Sequence, residues 1–163
     1  MTADLGRAQV YAAELAAFDG TDLEDVVGVG KVAAAIRAVV ETSWWPGRDV
    51  TVREMRSDAR SSATRCALDG ADAADIGLAA TQATIATGAH ELAHVLAGVG
   101  HGHDATFRRA HLDVVFAMTN TDRATGRGEL HADQLGLAYG AAGLAVADRN
   151  WPKPPPVGGP IAL

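Results

Sequence analysis

His90-Glu-Leu-Ala-His94 is the stretch of sequence on which the predicted fold depends. It has the form H-E-x-x-H, and on a helix its two histidines lie one turn apart on the same face. The flanking residues favour a helix, because apolar side chains recur there at helical spacing as a stripe that can be buried: Ile85, Ala89, Leu92 and Leu96. The sequence therefore predicts a helix that presents two imidazole groups to one point.

The motif has the chemistry of a zinc site. Two neutral imidazoles can bind one Zn²⁺ at about 2.0–2.1 Å each. Glu91 lies next to His90, where it can take a proton from a zinc-activated water and pass it to a leaving group. All 6 histidines fall between residues 90 and 131, which favours a metal site over two surface histidines with an incidental glutamate. The motif thus predicts a zinc-dependent hydrolase, most often a peptidase.

A catalytic zinc usually has three protein ligands and keeps a fourth position for water, so the two motif histidines need a third partner. His103 follows a glycine-rich turn that lets the chain reverse toward the metal, and His101 stands two residues earlier. Glu129 is the third candidate, since gluzincin peptidases use a glutamate at such a place, with an aspartate such as Asp133 one turn on. We favour His103, with His101 and Glu129 left open.

Composition limits the classes of function. A chain of 163 residues is long enough for one domain with a core, and its net charge of −6 argues against a nucleic-acid partner. The pair Arg108-Arg109 is interpreted as the solvated face of a helix. The single Cys66 cannot form an internal disulfide and is interpreted as a small core residue. Neither a signal peptide nor an apolar run of the ~18–20 residues that span a membrane is evident, so we expect a soluble, cytoplasmic protein.

The first third of the chain is predicted to form two helices. Residues 7–18 carry an apolar side of Val10, Tyr11, Leu15 and Phe18. Residues 21–24, Thr-Asp-Leu-Glu, have the form of a capping box for a second helix over about 22–43. Glycines at 28 and 30 weaken its first half, which favours a later start.

The middle of the chain changes to strand patterns. Residues 49–55 alternate apolar and polar side chains, 63–68 and 75–79 are candidate second and third strands, and Asp69-Gly70 is a predicted turn. Trp44-Trp45 precedes this region and is interpreted as packing the end of the second helix onto the sheet rather than as a ligand platform.

Two helices and a tail follow the motif. Asp104 is predicted to cap a helix that runs to about 119, and a polar loop over 120–128 leads to a last helix over about 129–147. The tail over 151–163 is rich in proline and glycine, so we expect it to be flexible and partly extended. The first of these helices has an apolar side of Phe107, His111, Val114, Val115 and Met118. His111 is therefore interpreted as a buried structural histidine and His131 as structural or solvent-facing.

Six segments, in order, resemble a family of metallohydrolases from actinobacteria and their phages that is defined by an H-E-x-x-H motif and roughly this length. The resemblance covers about residues 7–146. It implies zinc hydrolase chemistry and names no substrate. The segments are Arg7–Glu14, Ser43–Pro46, Val50–Arg53, His90–Leu96, His103–Arg108 and Ala138–Leu144.

That family is in turn similar to the SprT-type zinc peptidases, in which a third histidine opens an H-G-x-x-F segment at the start of the next helix. His103 and Phe107 match this segment, whereas Asp104 stands where glycine is expected. The resemblance thus implies His103 as a ligand, and the departure at Asp104 keeps His101 and Glu129 open.

Together these patterns predict an α+β, minimal zincin-like domain over residues 1–150. A small, mostly antiparallel sheet of three strands would pack on the H-E-x-x-H helix, with two helices before it and two after it. Zn²⁺ would be bound by His90, His94 and His103, with Glu91 as general base toward a peptide or protein substrate. A further expectation is that the short strand near Ile76–Ala79 is a sheet edge, to which a peptide substrate adds as an extra strand.

Two other functions fit the same residues. One is zinc-dependent hydrolysis of a non-peptide amide. The other is a non-catalytic, zinc-stabilised binding module derived from a peptidase. Glu91 favours catalysis, because a structural zinc site does not need it and is usually closed by four ligands, often cysteines.

Overall fold

The structure, a computed structural model, describes Asp4 and residues 6–66, 73–119 and 127–155, with only the backbone of Cys66 and of residues 127–129. This part of the chain is α+β, as predicted, with five α-helices and a three-stranded sheet. The helices are α1 (Arg7–Phe18), α2 (Val29–Val40), α3 (Ile85–Ala97), α4 (Ala105–Thr119) and α5 (Arg127–Ala141). The strands are β1 (Asp49–Glu54), β2 (Ala63–Cys66) and β3 (Ala73–Leu78).

The sheet is mixed, with β3 in its centre. β3 runs parallel to β1, where Val52 pairs with Ile76, and antiparallel to β2, where Thr64 pairs with Ile76. The prediction of a mostly antiparallel sheet is therefore wrong for one of its two pairings. Alternating apolar residues indicate that a segment is extended, but strand order and direction depend on how the strands pack on the helices.

The expectation that Ile76–Ala79 forms a sheet edge is also wrong. Strand β3 is hydrogen-bonded on both sides, so the edges belong to β1 and β2. Ile76 and Leu78 are fully buried, as suits a central strand. The predicted turn at Asp69-Gly70 and the core position predicted for the side chain of Cys66 lie outside the described residues.

Helix α3, which carries the H-E-x-x-H motif, is the centre of the fold. Its N-terminus is capped by Thr84, whose hydroxyl accepts a hydrogen bond from the Thr87 amide at 3.0 Å. It packs against α2 and α4 and against the strands β2 and β3. Nine of its 13 residues are buried, including both His90 and Glu91. The motif is therefore held in the interior and not displayed on an exposed helix.

The N-terminal half follows the predicted order with one change. Helix α1 lies at the predicted place, and α2 has the late start that its glycines favoured, since it begins at Val29 after Gly28 with a φ of 97°. Residues Asp22–Glu24 form a separate 3₁₀ turn, and Thr21 does not cap it. The Thr21 hydroxyl instead donates to the carbonyl oxygen of Phe18 at 2.7 Å, so the predicted capping box does not form.

The helices after the motif also follow the sequence closely. Asp104 caps α4 as predicted, since its Oδ1 accepts from the amides of Thr106 and Phe107 at 2.9 and 3.1 Å. Helix α5 ends at Ala141 rather than near residue 147. Gly143 has a φ of 70° and the following amide returns to the carbonyl of Tyr139, which terminates the helix.

The prediction that Arg108-Arg109 forms a solvated helix face is wrong. Arg108 is buried and donates from Nε to the carbonyl oxygen of Ala145 at 2.7 Å and from Nη1 to that of His103 at 2.8 Å. Arg109 donates to the carbonyl oxygen of Ala147 at 2.9 Å. Both arginines therefore fasten the segment after α5 to α4.

The C-terminal segment continues along the same face. The buried carboxylate of Asp113 accepts two hydrogen bonds from Arg149, at 2.7 and 2.9 Å, and one from the Trp151 indole at 2.9 Å. The indole of Trp44, which is buried after α2, donates to the carbonyl oxygen of Pro152 at 2.7 Å. The first residues of the predicted flexible tail are thus packed on the domain, and its remainder lies outside the described residues.

Among the helices of the described residues, none has the length and apolar character needed to cross a membrane. The longest of them, α4 and α5, have 15 residues each. A helical span needs about 20 predominantly apolar residues.

We expect Gly88→Ala to destabilise the fold, because the added Cβ would lie 2.5 Å from Cγ1 of Val32 where α3 crosses α2. The expected loss in the free energy of unfolding is about 1–3 kcal/mol, measured by urea denaturation. Gly136→Ala is the matched control, since its Cβ would meet Leu112 at an ordinary 3.8 Å. That variant should gain about 0.5–1 kcal/mol. Equal stability of the two variants would contradict the close packing of α2 on α3.

Candidate metal centre

Three histidines from two segments converge at one point. His90 and His94 lie one turn apart on α3, and His103 comes from the loop before α4. The Nε2 atoms of His90 and His103 are 3.1 Å apart, and one ligand nitrogen from each of the three residues lies within 4.8 Å of the others. Two nitrogens that bind one tetrahedral zinc are separated by about 3.3 Å. The three nitrogen donors could thus hold a metal ion, and the separation of the His90 and His103 donors is close to the zinc value.

A glycine-rich turn delivers His103 to this point. Gly98 ends α3 with a φ of 98°, and Gly102 precedes His103 with a φ of 56°, both in the region that favours glycine. A Cβ on Gly102 would also lie 3.0 Å from Oδ1 of Asp4. Glycine at this position therefore provides both the reversal of the chain and the space for the Asp4 carboxylate.

A carboxylate stands behind each of two histidines. Glu14 on α1 bonds Nδ1 of His90 at 3.0 Å, and Asp4 bonds Nδ1 of His103 at 2.5 Å. Asp4 also accepts the backbone amide of His103 at 3.1 Å. A carboxylate that accepts a hydrogen bond from Nδ1–H keeps the proton on Nδ1 and leaves the lone pair on Nε2, the atom that faces the other histidines. Metal-binding histidines almost always have such a partner, which orients the ring.

A second group of residues, which shares His90 with the first, could also hold a metal ion. Glu14, His90 and His111 each offer one ligand atom within 4.8 Å of the others, and all three are buried. His111 faces Glu14 with Nε2 at 3.7 Å, and its Nδ1 is hydrogen-bonded to the hydroxyl of Tyr139 at 2.6 Å. As predicted, His111 is a buried histidine on the apolar side of its helix. This group is deeper than the three-histidine group, and His90 belongs to both.

Burial sets the charge of two of these rings. It lowers the pKa of His94 to about 3 and that of His111 to about 4, with further lowering from neighbouring imidazoles. Burial likewise lowers the pKa of His103. These rings are therefore neutral near pH 7, which is the form that binds a metal.

The pKa values of Glu14 and His90 shift in the direction that favours the charged form of each group. Burial by itself would raise the pKa of Glu14 and lower that of His90. The electrostatic interaction with the ring of His111 and the hydrogen bond to His90 outweigh burial for Glu14 and hold its pKa below the usual value. The same hydrogen bond raises the pKa of His90. Glu14 thus stays ionised inside the protein, where it can offset the charge of a cation.

Glu91 lies on α3 between His90 and His94. Its carboxylate accepts a hydrogen bond from the Thr64 hydroxyl of β2 at 2.7 Å. Burial raises its pKa above the usual value. A carboxylate with a pKa closer to neutrality accepts and returns a proton more readily at physiological pH, which is the property of a general base.

An open cleft of about 370 Å³ leads to Glu91 and His90. One wall is α1, the other is formed by residues 61–62 and Gln82, and α3 forms the floor. A second cavity of about 600 Å³ lies between α4, α5 and the C-terminal segment. None of the residues that line it is a histidine, whereas the smaller cleft is lined by His90, one of the three converging histidines.

Tyr11 covers His90 on the cleft side. The two rings stack at 5.0 Å with an angle of 10° between their planes. Tyr11 is 44% exposed and Leu15 is 60% exposed, and both line the cleft. Their predicted place on the buried side of α1 is therefore wrong, because that side consists of Val10 and Phe18 with Glu14 between them.

The other candidate ligands lie elsewhere. The side chain of His101 is about half exposed, and its Nδ1 is hydrogen-bonded to Asp104 at 2.9 Å. Glu129 is on α5, and its side chain lies outside the described residues. His131, on the same helix, is buried and meets the ring of Phe18 edge-on at 6.3 Å. Within the described residues His103 is thus the candidate that joins His90 and His94.

Sequence reasoning missed both supporting carboxylates. Glu14 had a recognisable signal, since it stands four residues after Val10 and four before Phe18, in the middle of the buried stripe of α1. An acid at such a position is buried and needs a partner. Asp4 had no such signal, because its contact with His103 spans 99 residues of chain.

No known protein family, curated protein or solved structure matched this chain when it was compared with them. The resemblance to H-E-x-x-H metallohydrolases therefore stays a prediction. The same holds for the zincin-like architecture, of which the described residues show the α+β class.

We expect His103→Ala to lose bound zinc and His101→Ala to keep it, because only the ring of His103 faces His90 and His94. Metal content of the purified, zinc-reconstituted variants is measured by mass spectrometry. The two substitutions remove the same group two residues apart, so each controls for the other. Loss of zinc in His101→Ala alone would contradict the arrangement.

We expect Glu14→Gln to lower the affinity for zinc about 10- to 100-fold, since the ring of His90 loses a charged hydrogen-bond partner. Competition with a chromophoric chelator measures the affinity. Glu41→Gln, at an exposed position after α2, is the matched control and should bind zinc as the wild type does. An unchanged affinity in Glu14→Gln would show that the carboxylate does not support a ligand.

Proposed function

We propose that this protein is a zinc-dependent hydrolase that cleaves peptide bonds, with Zn²⁺ bound by His90, His94 and His103. The observation that carries the proposal is what the two ring nitrogens of His90 and of His103 contact. The Nε2 atoms of His90 and His103 converge at 3.1 Å, while their Nδ1 atoms are bonded to Glu14 and Asp4. Two such carboxylate–histidine pairs aimed at one point are typical of a metal site.

The deeper group of Glu14, His90 and His111 suits a supporting role better. Its members are all buried, whereas a catalytic metal needs a position open to water and substrate. Glu14 already bonds His90, and His111 bonds Tyr139. We therefore assign this group to the orientation of His90 rather than to the binding of a second ion.

The presence of Glu91 favours catalysis over a structural zinc site. A bound Zn²⁺ would lower the pKa of a water molecule toward ~7 and polarise the carbonyl group of the substrate. Glu91 would accept a proton from an attacking water as the water oxygen adds to the carbonyl carbon. It would return this proton to the departing amine as the C–N bond breaks, so the products would be a carboxylic acid and an amine.

Thr64 and Tyr11 keep the reacting groups in place. The Thr64 hydroxyl donates to Glu91 Oε2 and holds one carboxylate oxygen, which restricts the rotation of the side chain. Tyr11 stacks on His90 and shields one face of its ring from water. Both contacts reduce the motion of the groups that must align for reaction.

The shape of the cleft favours a peptide over a compact molecule. It is open, it extends along α1, and it reaches residues 61–62 just before the edge strand β2. An extended chain can lie in such a cleft and bond to a strand edge. A cleft of this kind suits a zincin-like architecture, which we include in the proposal.

We also propose a reducing, cytoplasmic location, because it suits a chain with one cysteine.

We expect Glu91→Gln to retain about one zinc per chain and to lose hydrolysis of unstructured protein or peptide libraries by about 10²–10⁴-fold. The wild type and Glu54→Gln, a change on an exposed strand position, should both be active. Zinc content is measured first and cleavage is followed by mass spectrometry. A wild type that binds no zinc after reconstitution would contradict the proposal. A Glu91→Gln variant as active as the wild type would contradict the role of the carboxylate.

A further inference from the structure

Helix α1 presents three side chains to the cleft at intervals of one turn. Arg7, Tyr11 and Leu15 are spaced four residues apart, and all three line the cleft. They offer a guanidinium, a phenol ring and an aliphatic group in sequence along the wall. The wall therefore has a direction, with a cation at one end and an apolar group at the other.

Arg7 is the cation of this wall, and it lies beside the Tyr11 ring that stacks on His90. Its Cζ atom is 5.7 Å from the centre of the Tyr11 ring, which in turn stacks on His90 at 5.0 Å. None of the ion pairs within the described part of the chain includes Arg7. The side chain is exposed and is hydrogen-bonded to the side chain of Tyr11. A guanidinium has five N–H donors, so donors remain that can reach a ligand in the cleft.

Arg7 is the only arginine or lysine among the described residues that line the cleft, which also include the acids Glu14, Glu24 and Glu91. Burial and the charges of Glu14 and Asp19 raise the pKa of Glu24. An anionic group of a substrate is attracted to Arg7 and repelled by the acids of the lining. A substrate with one anionic group would thus bind in one orientation.

We propose that Arg7 binds a free carboxylate of the substrate, so that the scissile amide lies within one or two residues of this group. The substrate class is then short peptides and N-acyl amino acids with a free carboxylate on the leaving side. This inference rests on the proposed function and specifies its substrate. A guanidinium suits the task, because it donates two parallel hydrogen bonds to a carboxylate.

The test compares two small ligands on the zinc-loaded protein by titration calorimetry. 2-Benzylsuccinate has one carboxylate for zinc and a second for Arg7, whereas 4-phenylbutanoate has only the first. We expect the dicarboxylate to bind the wild type about 10-fold or more tightly than the monocarboxylate. In Arg7→Met this ratio should fall to about one with zinc content unchanged. Arg7→Lys should give an intermediate ratio, because it keeps the charge and loses the planar fork.

Arg37→Met is the matched control, since it removes an exposed arginine from α2, away from the cleft. It should keep the wild-type ratio. Equal affinity of the two ligands for the wild type, or an unchanged ratio in Arg7→Met, would overturn the role of Arg7 and leave the zinc hydrolase intact. If the wild type takes up no zinc on reconstitution, the metal site itself is wrong and the inference fails with it.

Discussion

The hydrogen bond between Glu14 and His90 is the interaction on which the rest of the site depends. It joins α1 to the H-E-x-x-H helix inside the protein, where an unpaired carboxylate would be costly. It orients the ring of His90 so that Nε2 faces His103. It also links α1, which packs mainly on α5, to α3, and Arg7 and Tyr11 of α1 line the cleft. This one buried contact thus positions both the ring of His90 and the α1 side of the cleft.

The second constraint is the turn between α3 and α4. Its glycines allow His103 to return to α3, and Asp4 holds the ring from behind. Arg108 donates to the carbonyl of His103, so the loop is fastened from α4 as well. The site is therefore preorganised by contacts on both sides of the three histidines. Such preorganisation is what lets a metal bind without the free-energy cost of ordering its ligands.

Much of this site could be predicted from the sequence, because its parts are local. The spacing of His90 and His94 on a helix and the glycines before His103 are short-range patterns, and so is the cap at Asp104. The carboxylates could not be predicted in the same way. Glu14 was recognisable only as an acid in a buried stripe, and Asp4 is far away in the chain. The sheet shows the same limit, since alternation predicted its strands but not the central place of β3.

By itself, the sequence determined the helices, the extended segments and the residue types that could hold a metal ion, because these depend on spacing and side-chain chemistry. The tertiary structure alone decided which histidine joins the motif, which acids support it and which residues line the cleft. It also decided that Arg108 is buried and that Tyr11 faces the cleft. The physical reason is that burial and charge pairing arise between segments distant in the chain, where packing and not local spacing selects the partner.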